Sequence, residues 1–139
     1  FWDITKEELK KSMGPDREFQ ATSDKIDNFK HSYGTILYFE DQDVVEGLQN
    51  QMPNYAKNFA IWSNQTNAMH QFAIWTALGT KGIGASLQHY NPLVDVAVTE
   101  AFDIPTTWNL VAQMPFGNVR DEAGEKEFHD VSKRFLVRK

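Results

Sequence analysis

Gly82-Ile83-Gly84-Ala85-Ser86-Leu87-Gln88-His89-Tyr90-Asn91-Pro92 joins the most apolar helical stretch of the chain to a short strand and a proline-bounded turn. Before it, Ser63 to Lys81 puts Met69, Phe72, Ala73, Thr76 and Ala77 on one helical face and Ile74, Trp75 and Leu78 on others. A helix apolar on several faces is expected to be buried. Its large apolar groups also exceed what one core of this size covers, so the same helix is expected at an interface between two copies of the chain. Gly82 and Gly84 end the helix and let the backbone reverse, Ile83 to Gln88 reads as a brief buried strand, and Asn91-Pro92 stops it.

Outward from this stretch, the chain alternates helices and strands. Asp3 is an N-cap candidate followed by acidic residues and then lysines, which predicts a short helix ending at Gly14-Pro15. Ser23 to Tyr33 repeats the pattern, with Ser23 as cap, Ile26 and Phe29 on one face and Gly34 as the stop. Thr35 to Glu40 is continuous, apolar and β-rich, as expected of a central strand covered on both faces. Asp41-Gln42-Asp43 caps a helix through about Met52, which Pro53 interrupts. Asn54 to Trp62 carries Tyr55, Phe59 and Trp62 at helical spacing; such aromatic stripes are more often core than ligand pocket. Pro92 to Phe102 reads as an amphipathic helix with Leu93, Val96, Ala97 and Ala101 inward, ended by Ile104-Pro105. Thr107 to Met114 is a second apolar strand closed by Pro115-Phe116-Gly117, residues 118–130 form a polar, extended arm, and Arg134 to Val137 reads as a last strand. The order predicts an α+β sheet layered with helices in a single domain, residues 1–139, with 118–139 as its C-terminal arm.

Composition excludes several chemistries. The 139 residues carry a net charge of −5 with both signs interspersed, which argues against nucleic-acid binding. The absence of cysteine removes disulfides, thiolate nucleophiles and Cys-based metal sites. No apolar run approaches the roughly 20 residues of a membrane span, so a soluble, cytoplasmic protein without a membrane partner is expected. There is no G-x-S-x-G, H-E-x-x-H or GK[ST] loop, and Gly79, Gly82 and Gly84 lack dinucleotide-fold spacing. His31, His70 and His129 read as surface or structural residues, and no metal site is expected. His89 differs in standing at a strand end, where backbone amides point out of the sheet. Ser132-Lys133-Arg134 could fix a phosphate through two adjacent cations, although with Arg138 and Lys139 beside it the bland reading is a solvated basic end.

Three blocks, GIGASLQHYNPL (Gly82 to Leu93), IPTTWNLVAQMPFG (Ile104 to Gly117) and GEKEF (Gly124 to Phe128), resemble the FMN-dependent nitroreductase family. Within it they resemble the subgroup associated with fatty-acid repression and oxidative-stress responses, and the similarity runs from Trp2 to about Arg134. The resemblance implies a nitroreductase-like fold, with a mostly antiparallel central sheet and a C-terminal arm exchanged in a homodimer. It also implies FMN as cofactor, NAD(P)H as electron donor, and a small nitroaromatic or quinone acceptor reduced by ping-pong hydride transfer through the flavin. By the same resemblance Leu87, Gln88, His89 and Tyr90 line the isoalloxazine, where preformed donors oppose the charge of the reduced ring. Arg134 and Lys133 become phosphate ligands, and Tyr55, Phe59 and Trp62 approach the acceptor pocket. Spacing alone would leave the Gly82 to Pro92 stretch as a plain helix-to-strand connection. Family members carry an Arg-Arg-Ser/Thr type motif and an Asn-Ser-Gln type motif ahead of the part that Phe1-Trp2-Asp3-Ile4 resembles, so the chain is expected to be a member without its N-terminal portion. A second reading of the same resemblance is a non-catalytic or regulatory member that responds to flavin or lipid.

Overall fold

Two helices open the chain and are pinned to the sheet by one tryptophan. In the computed structural model, which describes residues 1–15, 17–121 and 124–138, they are α1 (Trp2–Met13) and α2 (Gln20–Lys30). Trp2 is 5% exposed, packs on Phe29 at 5.0 Å between ring centroids, and donates from Nε1 to Thr35 Oγ1 at 2.8 Å. Asp3 does not cap α1, whose N-cap is Phe1. Helix α2 begins before the predicted Ser23: Gln20 Nε2 donates to Asp24 at 2.7 Å, an i,i+4 pair that supports the extra turn. It ends at Lys30, short of Tyr33.

Strands β1 (Gly34–Asp41), β2 (Ile83–Ala85) and β3 (Trp108–Asn118) form an antiparallel sheet in the order β1-β3-β2. The predicted central strand, β1, therefore lies at an edge of this sheet, and β3 is central. β3 does not stop before Pro115-Phe116-Gly117. Pro115 accepts from the Ser86 N–H at 3.1 Å, so its missing N–H falls on the β2 side and the β1 ladder is unaffected. β2 is shorter than the predicted Ile83 to Gln88, and pairing resumes only as a single bridge between Gln88 and Gln113.

The register shifts between Tyr38, opposite Ala112, and Phe39, opposite Leu110, so Val111 is one residue too many. This bulge turns β3 over. Ala112 and Met114 join Tyr38, Ile74 and Leu78 in one core, while Leu110 joins Val94, Val98, Leu37 and Phe39 in another, so the sheet is covered on both faces.

Helix α3 (Gln42–Gln51) starts as its sequence predicts, with the Asp41 side chain accepting from Asp43 N at 3.1 Å. A 3-10 turn, Pro53–Tyr55, leads into α4 (Ala56–Thr80). The two predicted helices before Gly82 are thus one helix of 25 residues, because nothing at Trp62-Ser63 breaks it. Nor is α4 buried within one chain: Met69 is 65%, Phe72 71% and Trp75 42% exposed. It docks through Ile74 and Leu78 and, N-terminal to them, through polar groups. Asn67 Nδ2 donates to Glu40 Oε1 at 2.6 Å, Gln71 Nε2 to Asn67 Oδ1 at 2.6 Å, and Ser63 Oγ to Glu40 Oε2. With that face on the sheet, the aromatic faces point outward.

Helix α5 (Asp95–Phe102) begins three residues after Pro92 and turns Val94 and Val98 inward rather than Leu93 and Val96, which are exposed. Asp95, in its first turn, has a buried Oδ1 with no hydrogen-bond partner among the described residues, and burial pushes its carboxyl above the usual carboxylate range. The folded state then holds this proton more readily than the unfolded state. The contribution is therefore stabilising as pH falls through the raised pKa and is lost as pH rises through it. Asp95→Asn should flatten this part of the acid limb of the stability curve in urea titrations at stepped pH; an identical pH slope in the variant would sink the assignment.

Beyond β3, a 3-10 turn at Val131–Lys133 is capped by Asp130, which accepts from Ser132 N at 2.7 Å. The predicted strand Arg134 to Val137 does not form. Phe128, Phe135, Leu136 and Val137 are exposed, and among the described residues the hydrogen bonds of 124–138 stay between Asp130 and Phe135.

Candidate functional site

Past Ala85 the chain leaves β2 but keeps an alternating set of bonds to β3. Ser86 N donates to Pro115 O at 3.1 Å, Gln88 N to Gln113 O at 2.7 Å, and Tyr90 N to the side-chain Oε1 of Gln113 at 2.8 Å. The amides of residues 86, 88 and 90 all face β3. Successive amides of an extended chain point to opposite sides, so those of Leu87 and His89 face away from the sheet. No hydrogen bond among the described residues uses either.

The turn is held from both sides. Gln113 is 0% exposed; besides accepting from Tyr90 it donates from Nε2 to Asn91 Oδ1 at 3.2 Å, and its own N–H donates to Gln88 O at 2.9 Å. Gln88 Nε2 donates to Ser86 Oγ at 2.8 Å. The Tyr90 ring stands edge-on to Trp2 at 5.8 Å, and burial pushes its phenol pKa up, so it stays a neutral packing group. Leu87 packs into the core under α4, and the His89 side chain is exposed. The result is an edge held by hydrogen bonds, with two backbone donors two residues apart that no group among the described residues engages. Such an edge suits the acceptor rim of a planar heteroaromatic, with charge stabilised by preformed dipoles.

The other predicted residues lie elsewhere. Lys133 and Arg134 are exposed on the arm, and no hydrogen bond or ion pair among the described residues joins them to 86–91. Tyr55, Phe59 and Trp62 meet one another at the start of α4, with Trp62 6.2 Å from Tyr55 and 5.4 Å from Phe59 between centroids; Tyr55 and Trp62 are exposed and Phe59 half-buried. A groove of about 780 Å³ between the end of α2, β2 and the end of β3 shares only Ser86 with the turn. Sequence reasoning missed Gln113. Its signal was there, as a lone amide side chain between Ala112 and Met114 in an otherwise apolar run. Among the described residues no group of three or more His, Asp or Glu could hold a metal, and no helix is long and apolar enough to cross a membrane.

No protein-family model matches the chain. The nitroreductase CinD from Lactococcus lactis, in complex with chloramphenicol, is 45% identical and superposes with a TM-score of 0.90 over 99% of this chain and 69% of CinD. Its complexes with nicotinic acid and with 4-nitrophenol superpose with TM-scores of 0.91 and 0.86. Two proteins of Saccharomyces cerevisiae are also similar. HBN1, assigned as a nitroreductase, is 30% identical over 127 residues, 91% of this chain and 61% of its own. The nitroreductase FRM2 is 36% identical over 97 residues, 70% of this chain and 49% of its own. The chain thus spans between about half and three fifths of these yeast relatives' length. With identity near one half to CinD across almost every residue, and the same path of helices and strands, the chain belongs to the nitroreductase family.

Proposed function

We propose that the protein containing this chain is an FMN-dependent oxidoreductase that carries electrons from NAD(P)H to a small nitroaromatic or quinone. The pair of outward-facing amides at Leu87 and His89 carries this reading. When bound, FMN would supply hydride transfer by two half-reactions at one ring face, with donor and acceptor taking turns. The chain's part is to position and to polarise. Leu87 and His89 offer N–H donors to the ring's electron-rich edge, whereas the amides of Gln88 and Tyr90 are already engaged with Gln113. The contact is through backbone, so His89→Ala should be mild. Lys133 and Arg134 supply positive charge for the phosphate, and one or more of Tyr55, Phe59 and Trp62 borders the acceptor pocket. The ligands of CinD support the substrate class: chloramphenicol and 4-nitrophenol are nitroaromatics, and nicotinic acid shares the pyridine ring of the donor.

The proposal includes a homodimer. The exposed Met69, Phe72 and Trp75 form an apolar face on α4, and the arm, residues 118–139, carries Phe128, Phe135, Leu136 and Val137, which no described residue of the same chain covers. Both are accounted for when α4 packs on its counterpart and the arm reaches over the partner, bringing Arg134 to a shared site. Phe72→Ala should weaken self-association by on the order of tenfold, read by sedimentation across a dilution series; a wild-type protein that is monomeric throughout would end the dimer proposal.

The test of function is a visible spectrum of the purified full-length protein. A yellow preparation bleached by NAD(P)H and recoloured by a quinone is the expected result. A colourless protein that takes up no added FMN would overturn it and favour a regulatory member of the family.

A further inference from the structure

We infer that Gln113 is the positioning residue of this site: its side chain sets the orientation of the His89 amide and, through it, the reduction potential of the bound cofactor. The inference rests on the flavin reading above but assigns a residue that touches neither cofactor nor substrate.

Gln113 is fully buried in the central strand, yet every polar atom of its side chain faces one partner segment. Oε1 takes the Tyr90 N–H and Nε2 reaches Asn91, while its backbone exchanges two bonds with Gln88. The amide orientation is fixed chemically, because a backbone N–H can only donate and so must meet the oxygen. These bonds bind residues 88, 90 and 91 to β3 just beyond Ala85, where the β2 ladder has stopped. Residues 86 and 88 are held by backbone bonds that any side chain at 113 would allow, whereas residue 90 is turned inward by the Gln113 side chain, and the outward direction of His89 follows from that alternation. The Val111 bulge completes the arrangement. By turning β3 over between Leu110 and Ala112, it puts Ala112 and Met114 against α4 and leaves Gln113, between them, facing the side that holds Tyr90. A neutral carboxamide suits this place because it offers an acceptor and a donor in one plane. An apolar residue of equal length would fill the space but leave the Tyr90 N–H buried and unpaired.

The experiment uses the full-length protein with FMN and compares wild type, Gln113→Met and Gln113→Glu. In the apoprotein, amide exchange at Tyr90 should speed up at least tenfold in Gln113→Met and return most of the way in Gln113→Glu, which keeps an acceptor for that N–H. In the holoprotein, Gln113→Met should shift the potential of bound FMN and raise its Kd, effects that a packing role alone would not produce in a protein still folded by circular dichroism. Should Gln113→Met not fold, Gln113→Asn, one methylene shorter and unable to span the gap, takes its place with the same expected results. Unchanged Tyr90 exchange overturns the inference. His89→Pro, which deletes an outward amide, tells the two failures apart. If it moves the potential and the Gln113 variant does not, the inference falls and the flavin reading stands; if it moves neither affinity nor potential, the flavin reading itself falls.

Discussion

Trp2→Ala should cost the fold about 3–5 kcal/mol, the range for deleting a large buried aromatic. Trp2 sits where four elements meet. Its ring is 4.9 Å from Phe1, 5.0 Å from Phe29 on α2 and 5.8 Å from Tyr90, and its Nε1 donates to Thr35 on β1. Alanine would leave a cavity among these rings and a Thr35 hydroxyl without its donor. The salt links between α1 and α2, Lys6 to Asp27 and Lys30 to Asp3, are partly or wholly exposed and cannot make up the loss. Urea unfolding of the full-length protein measures the cost; a loss below about 1 kcal/mol would mean that the site collapses without strain. Tyr90 would also lose its edge-on neighbour, so exchange at the turn should quicken in the same variant.

Arg134→Ala should weaken FMN binding roughly 10- to 150-fold, the equivalent of about 1.5 to 3 kcal/mol for a charge-assisted hydrogen bond to phosphate. The potential of the flavin that remains bound should hardly move, because the phosphate is far from the ring's redox locus. Arg134 lies on an arm whose hydrogen bonds stay local among the described residues, so in the proposed dimer its contribution depends on the partner placing the arm. The loss should therefore be largest where sedimentation shows a dimer. Titrating apoprotein with FMN checks it, and an affinity equal to wild type would remove Arg134 from the phosphate site.

What could be read from the sequence was mostly local. The Asp41 cap, the β-rich run at β1 and the stop after Thr80 each depend on residues within one turn, and each stands close to where it was expected. Longer-range properties were less accessible. Trp62-Ser63 looks like a junction only while two aromatic patterns are read separately; with no Gly or Pro there, one helix is cheaper than two. The apolar faces of α4 were read both as burial and as an interface between two copies; within one chain Met69, Phe72 and Trp75 are exposed, because hydrophobicity alone does not say which faces meet the sheet. Arg134 to Val137 has strand-forming residues, but β-propensity does not say whether a sheet edge lies within reach, and among the described residues this segment pairs with none. The turn was singled out from its sequence, whereas its mode of support was not. A glutamine inside an apolar strand announces a buried hydrogen bond, but which amide it meets, 23 residues away at Tyr90, depends on a one-residue bulge that no local pattern reveals.

Amide exchange at His89 and Tyr90, resolved by NMR in the full-length protein with and without saturating FMN, tests the central claim most directly. The Tyr90 amide should be protected in both states, because Gln113 holds it whether or not cofactor is bound; the His89 amide should exchange freely in the apoprotein and become protected when FMN is added. A His89 amide that exchanges equally fast in both states, with FMN bound, would contradict the account.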